Sequence, residues 1–345
     1  MGKQTTYQLL SAETMWSQVQ MWAWTVWNYI LLYILGAWYM LKELTATHHT
    51  PSGLVSQKGR VAIVTGGGRG IGLETVKQFL QLDMTVVVAG RHVPFLEASV
   101  AGLRDGGLTS GEARCMELDL TSMASVRKFA ADFLALRCPL HILVNNAGIM
   151  FWPRELTEDG NEAHWSVNYL GHFLLTHLLL PCLQANRPTT TTIASRVVNL
   201  TSSVHYMGSI NFEDPNSRQH YNPQAAYAQS KLAQMMFTIT LDELVSGQGV
   251  MVNAVHPGVV ATQLFQHVAW ATYFPWLART FLKTPRQGCD TVIYCSLSPN
   301  VTHGGGYYEN CTPTAPATYA TRKELRDQLW KLSCQQLEIK VFGEK

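Results

Sequence analysis

Charge is scarce in this chain: 14% of its 345 residues are Asp, Glu, Lys or Arg, and 26 basic residues against 24 acidic ones leave a formal net charge of +2. No long basic run occurs, which excludes a strong binder of nucleic-acid backbones. Paired cysteines are missing too. Cys115, Cys138, Cys182, Cys289, Cys295, Cys311 and Cys334 contain no C-x-x-C, and seven is an odd number, which argues against a zinc site and against a disulfide framework. His48 and His49 are the one adjacent histidine pair and read as part of a solvated linker. Internal repeats and low-complexity tracts are absent. What remains is a chain with 47% hydrophobic residues, long enough to bury one large core or two modest ones.

One long apolar run stands out. Residues 21–41, MWAWTVWNYILLYILGAWYML, are 21 residues without a charge, and as a helix they would reach about 30 Å, the hydrocarbon thickness of a bilayer. Trp22, Trp24 and Trp27 near one end and Trp38 and Tyr39 near the other resemble interfacial belts, and Lys42 closes the run. A cleaved signal peptide should have a shorter apolar core, a clear positive region before it and small residues at a cleavage site. The run fits an uncleaved membrane anchor better, with residues 1–20 as a tail and 42–59, containing Pro51, Ser52 and Gly53, as a linker. Lys42, Glu43, Lys58 and Arg60 against Lys3 and Glu13 give a small positive excess that favours a cytosolic catalytic domain. In the alternative, a lumenal or secreted domain, the glycosylation acceptors Asn300 and Asn310 would matter, whereas Asn199 falls within a predicted core strand.

From residue 60 onward strands and helices alternate as one domain. VAIV, TVVVA, HILV, RVVNL and VMVNAV are short, nearly continuous apolar runs, as strands covered on both faces should be. The expected fold is α/β, a doubly wound parallel sheet of about seven strands with helices on both sides. The first unit, VAIVTGGGRGIG at residues 61–72, reads as strand, tight turn and helix start. Gly66 lets the chain leave the strand, Gly70 lets the backbone approach a pyrophosphate, and Gly72 lets the helix pack on the strand, with phosphates on the free N–H groups of the helix. The second strand ends in Ala89-Gly90-Arg91, where an NAD-specific site would usually carry an acid. Arg91, with Arg69 in the glycine turn, is suited instead to a 2′-phosphate, so NADP(H) is the expected dinucleotide.

Further on, Tyr227-Ala-Gln-Ser-Lys231 follows the strand ending near Ser202-Ser203. Residues i and i+4 share a helix face. Hydride transfer at an alcohol needs a group that exchanges the oxygen's proton near neutral pH. A tyrosine can do so if nearby positive charge, from Lys231 and an oxidised nicotinamide, favours its phenolate.

With these motifs in place the chain resembles the short-chain dehydrogenase/reductase (SDR) family over about residues 61–309, whose fingerprint TGxxxGIG is met by Thr65, Gly66, Gly68, Arg69, Gly70, Ile71 and Gly72. The resemblance implies a Rossmann-type fold and four catalytic positions. Asn168 would hold a water on a proton path to Lys231, Ser203 rather than Ser202 would bind the substrate oxygen, and Tyr227 and Lys231 would act as above. It also implies cofactor contacts from Asp119 and Leu120, from Asn146, Ala147 and Gly148, and from Pro257, Gly258, Val260 and Thr262. Association through helices at 159–183 and 223–244 would follow for a homodimer.

The strings NYLGHFLL, AAYAQSKLA, HPGVV, HVAWAT, KTP, GGGYY and QLWKLSC are similar to the X-linked dehydrogenase/reductase group of that family, a relative of the membrane retinol dehydrogenases. That similarity implies an enzyme of the endoplasmic reticulum or lipid droplets that interconverts polyprenol and polyprenal, or dolichal and dolichol, using NAD(H), NADP(H) or both. Retinol or steroid dehydrogenation is the nearest alternative. A catalytically silent fold serving as an interaction protein is the alternative of another class. The aromatic segment 264–282 is expected as a substrate lid, and 321–339 as a C-terminal covering helix.

Overall fold

The computed structural model describes residues 49–186, 194–264 and 282–344, together with Trp276 and eleven positions between 23 and 42. Its strands form one eight-stranded sheet in the order β3-β2-β1-β4-β5-β6-β7-β8. β1 (Val61–Thr65), β2 (Thr85–Gly90), β3 (Glu112–Glu117), β4 (Ile142–Asn145), β5 (Ser195–Leu200), β6 (Val250–His256) and β7 (Tyr307–Glu309) are parallel. β8 (Thr312–Thr314) turns back antiparallel on β7, a strand the sequence reading did not include. Asn310 and Cys311 make that turn with φ of 48° and 59°, the left-handed pair a two-residue hairpin needs, and Pro313 confines β8 to the edge.

The helices are α1 (Gly70–Gln81), α2 (Val93–Asp105), α3 (Met123–Ala135), α4 (Gly171–Gln184), α5 (Pro223–Leu244), α6 (Pro285–Leu297) and α7 (Lys323–Gln336). Alternate strand residues serve opposite faces. Ala62, Val64, Val86, Val88, Ile142 and Val144 pack with Phe79 and Leu80 of α1 and Val292 and Ile293 of α6. Ile63, Val87, Leu143, Val197 and Val252 pack with α3, α4 and α5 through Phe129, Phe133, Phe173 and Phe237. Burial on both faces is what made the strands read as continuous apolar runs. The strand order reverses between β1 and β4, and at such a switch point the carboxyl ends of the strands leave a crevice.

α7 lies on the α4/α5 face. Trp330 meets Phe173 at 5.1 Å and Phe342 at 4.7 Å, and the Tyr169 and Ser333 hydroxyls are 2.6 Å apart. The C-terminal segment thus packs against part of α4 and α5. The expected linker is held as well from residue 49 onward. Thr50 donates to Asp290, Ser56 to Asp83, and the Gln57 N–H to the Leu82 carbonyl. The described positions from 23 to 42 are helical, but the expected membrane span lies largely outside the described residues. Among those that are described, no helix is long and apolar enough to cross a membrane. Of the expected lid, only Leu264, Trp276 and Leu282 are described.

Candidate active site

The glycine turn leaves β1 with Gly66 at φ +63° and starts α1 at Gly70, φ +55°. A Cβ on Gly72 would stand 2.3 Å from the Gly66 carbonyl oxygen, so only glycine permits this approach of helix to strand. Arg69, the residue preceding α1, makes no side-chain cap, and the first turn carries no acid. The opening N–H groups and the positive end of the helix are therefore left for an anion. These features fit a dinucleotide pyrophosphate.

A cleft of about 1760 Å³ opens over this turn. Gly66, Gly68, Arg69, Gly70, Ile71, Gly72, Arg91, Asp119, Leu120, Asn146, Ala147, Gly148, Pro257, Gly258, Val260 and Thr262 all line it, and so do Ser202, Ser203, Tyr227 and Lys231. Arg91 is exposed at its rim. The Asp119 carboxylate accepts from the Thr121 N–H at 2.9 Å and hydroxyl at 2.7 Å, which fixes its orientation at that end. Thr65 lines the cleft too, and it also braces the turns that form it. Its buried hydroxyl lies 2.9 Å from His172 Nε2 and accepts from the N–H groups of Asn146 and Ala147, tying the β1 turn to the β4 turn.

Asn222 caps α5 by accepting the Ala225 N–H at 2.9 Å, and Pro223 occupies the first turn. One face of this helix then presents Tyr227 and Lys231, both buried. Lys231 Nζ donates to the Leu200 carbonyl and to Gln234 Oε1, each at 2.8 Å, and stands 5.8 Å from the Tyr227 ring centre. Burial pushes the Tyr227 phenol up to about 12, partly offset by its hydrogen bond with Ser202, and pushes the Lys231 ammonium down to about 7. The phenolate expected from the sequence calls on the nicotinamide's charge as well as that of Lys231, and in the chain by itself burial raises the phenol.

The serine that meets Tyr227 is Ser202, not the expected Ser203. Ser202 is extended, at φ −155° and ψ 155°, before the 3-10 turn Ser203–Met207, and its hydroxyl also accepts the Val204 N–H. The peptide joining the two serines is held at both ends. His205 Nδ1 lies 2.7 Å from the Ser202 carbonyl, while His256 Nδ1 accepts the Ser203 N–H at 3.3 Å. Burial lowers both imidazoles, His205 to about 4 and His256 to about 3, so both are neutral at pH 7.

Asn168 sits behind the cleft in a π-helical turn, Trp165–Leu170, before α4. Its amide accepts the Ile149 N–H at 2.9 Å and donates to the Ile149 carbonyl and to Ser230, so it fixes the backbone beyond Gly148. Sequence reasoning missed a second support. Tyr221 donates to the Trp152 carbonyl at 2.6 Å, the Trp152 N–H donates to His164 Nε2, and His164 Nδ1 lies 2.7 Å from Glu162. This chain holds Met150 and Phe151 beside Tyr227, where with Val204 and Leu264 they form an apolar patch. The one signal available in the sequence was the spacing of Glu162 and His164, two residues apart.

The short chain dehydrogenase model matches residues 60–271. The chain belongs to that family. It is therefore an NAD(P)-dependent oxidoreductase, and the Rossmann-type fold expected from its motifs is the one found. It is 43% identical over 299 residues to a polyprenol dehydrogenase of Mus musculus, covering 84% of this chain and 87% of that one. It is 37% identical over 290 residues to retinol dehydrogenase 11 of Homo sapiens, covering 83% and 88%. Among solved structures, an uncharacterised protein from Mycobacterium paratuberculosis matches with a TM-score of 0.68 and 31% identity, over 85% of this chain and 98% of that one. A Pseudomonas aeruginosa RhlG/NADP complex shares the fold at a TM-score of 0.58 and 23% identity, over 77% and 98%.

Proposed function

We propose that this oxidoreductase interconverts a long-chain lipophilic alcohol of polyprenol type and its aldehyde, with the dolichal–dolichol pair as an equivalent substrate class. The observation that carries the reading is the apolar patch of Met150, Phe151, Val204 and Leu264 against the catalytic Tyr227. A water-soluble sugar or hydroxy acid would leave its polar groups unpaired there. The named polyprenol and retinol dehydrogenases among the relatives support the same class.

In the direction of oxidation, Ser202 and Tyr227 hold the substrate oxygen between their hydroxyls. Tyr227, ionised to its phenolate, takes the hydroxyl proton as the C–H bond breaks, and in reduction the neutral phenol gives that proton back. Lys231, one turn away, stabilises the phenolate, and the Leu200 carbonyl and Gln234 fix its ammonium. A bound dinucleotide supplies the hydride acceptor or donor. Arg69 and Arg91, both at the cleft, would hold the 2′-phosphate of NADP(H). Asn168 keeps the Ile149 peptide, and with it the floor of the cleft, in one orientation.

Residues 21–41 anchor the enzyme in the membrane of the endoplasmic reticulum or at lipid droplets, with the catalytic domain facing the cytosol. An endoglycosidase-sensitive mobility shift removed by changing Asn300 and Asn310 would place the domain in the lumen instead. The functional test is turnover of polyprenol, alongside retinol, by detergent-solubilised protein with NAD or NADP. Polyprenal should form, and Tyr227→Phe should lower kcat by about a thousandfold while leaving dinucleotide binding intact. Retinal alone, without polyprenal, would overturn the substrate assignment.

A further inference from the structure

The apolar N-terminal run does not stop at anchoring. Leu35 and Gly36 line the cleft itself. Tyr39 is buried, its hydroxyl donates to Glu309 Oε1 at 2.9 Å, and its ring meets that of His256 edge-on at 5.3 Å. Lys42 forms an ion pair with the other oxygen of Glu309. Glu309 ends β7, and Tyr307 of the same strand donates to Oε1 at 2.7 Å. Burial alone would raise the Glu309 carboxyl, but the neighbouring His256 and the hydrogen bonds from Lys42 and Tyr307 together outweigh it and hold the group below the usual carboxylate range. A buried ionised group with several donors is an exacting contact, since removing one donor leaves charge uncompensated.

Positions 35, 39 and 42 are spaced by four and three, so they fall on one helical face. The positions Trp27, Ile30, Ile34, Trp38 and Leu41 follow the same spacing on another face, and all five are large, apolar and exposed. One stripe thus grips the catalytic domain while a second, lipophilic stripe points away from it.

We propose that Tyr39, Lys42 and Glu309 form a latch that seats this helix at the catalytic end of the cleft. Leu35 and Gly36 there become one wall of the substrate channel, and a long apolar alcohol reaches Tyr227 by sliding along the helix. This rests on the reading above that the substrate is a long lipophilic alcohol. The latch residues are positioning residues, and they govern capture of a long chain rather than the chemistry at its hydroxyl.

The test compares the full-length protein with its Tyr39→Phe/Lys42→Ala variant on a long isoprenoid alcohol and on a short one such as a C5 prenyl alcohol. KM for the long alcohol should rise about tenfold with kcat nearly unchanged, and KM for the short alcohol should stay as it is. Lys42→Arg, which restores the ion pair, should behave as the native protein. Unchanged KM for both alcohols, or an equal fall in kcat for both, overturns the latch. A readout independent of turnover is the rate at which Leu35→Cys reacts with a water-soluble maleimide, followed by peptide mass spectrometry. It should be several-fold faster when the latch is broken, and equal rates overturn the proposal. If neither alcohol is turned over, the substrate reading falls, and the labelling rates still decide the latch.

Discussion

The two halves of the cleft are built in opposite ways. The cofactor half comes from short, contiguous turns at the ends of neighbouring strands, residues 65–72 after β1 and 145–148 after β4, where glycine is demanded by backbone distances such as the 2.3 Å a Gly72 Cβ would leave to Gly66. The substrate half is assembled from residues far apart in the chain: Met150 to Trp152, Val204, Tyr227 and Leu264 come together there, with Tyr221 donating to the Trp152 carbonyl 69 positions away. Backbone sterics fix the first half and side-chain chemistry fixes the second.

The sharpest way to break this contrast is at the serine pair, where the two halves join. Ser202→Ala should lower kcat by about a hundredfold, the usual cost of one donor to a developing oxyanion, and Ser203→Ala by no more than about threefold. The reverse ranking in steady-state kinetics would restore Ser203 as the substrate-binding residue. A middling effect is expected on the cofactor side. Arg91→Ala should weaken NADP(H) by about tenfold in fluorescence titration and leave NAD(H) unchanged, because a guanidinium discriminates through the phosphate alone.

The smallest effect is thermal. With Lys231 lowered to about 7 in the fold, against a much higher value when unfolded, the unfolded chain holds more protons between pH 7 and pH 10. Stability from this group therefore rises with pH across that window. The dinucleotide-free protein should gain a few degrees in Tm from pH 7 to pH 9, and Lys231→Met should lose that gain. A native protein with the same pH dependence as Lys231→Met would show that the ammonium is not desolvated as the geometry requires.

Much of the cofactor half was legible because its signals are local. The run VAIVTGGGRGIG states strand, turn and helix within twelve residues, and Tyr227 and Lys231 declare a shared face by their spacing alone. Ser202 was not legible. β5 ends at Leu200 and the chain stays extended for two more residues before the 3-10 turn begins, so no period marks which hydroxyl faces the helix. The bracing contacts of Thr65 were hidden in a related way. Its place in the glycine turn is plain, yet its side chain answers to His172 and Asn146, which sequence distance conceals. β8 escaped because Thr-Pro-Thr has neither alternation nor an apolar run. The grip of Tyr39 and Lys42 on Glu309 escaped because an uncharged run with aromatic ends reads as lipid-facing all round.

The C-terminal segment carries a consequence for how the protein is made. Trp330 and Phe342 complete the aromatic cluster with Phe173 and Phe237, and the Gly343 N–H donates to His177 at 2.8 Å. Those closing pieces are synthesised after the helices they cover, and Glu309 after the Tyr39 it receives. The apolar surfaces of α4 and α5 thus stay uncovered until that segment has left the ribosome. A nascent chain stopped short of residue 330 would carry an intact glycine turn and an intact Tyr227 and Lys231, yet present to the cell's quality control the sticky surface of an unfinished protein.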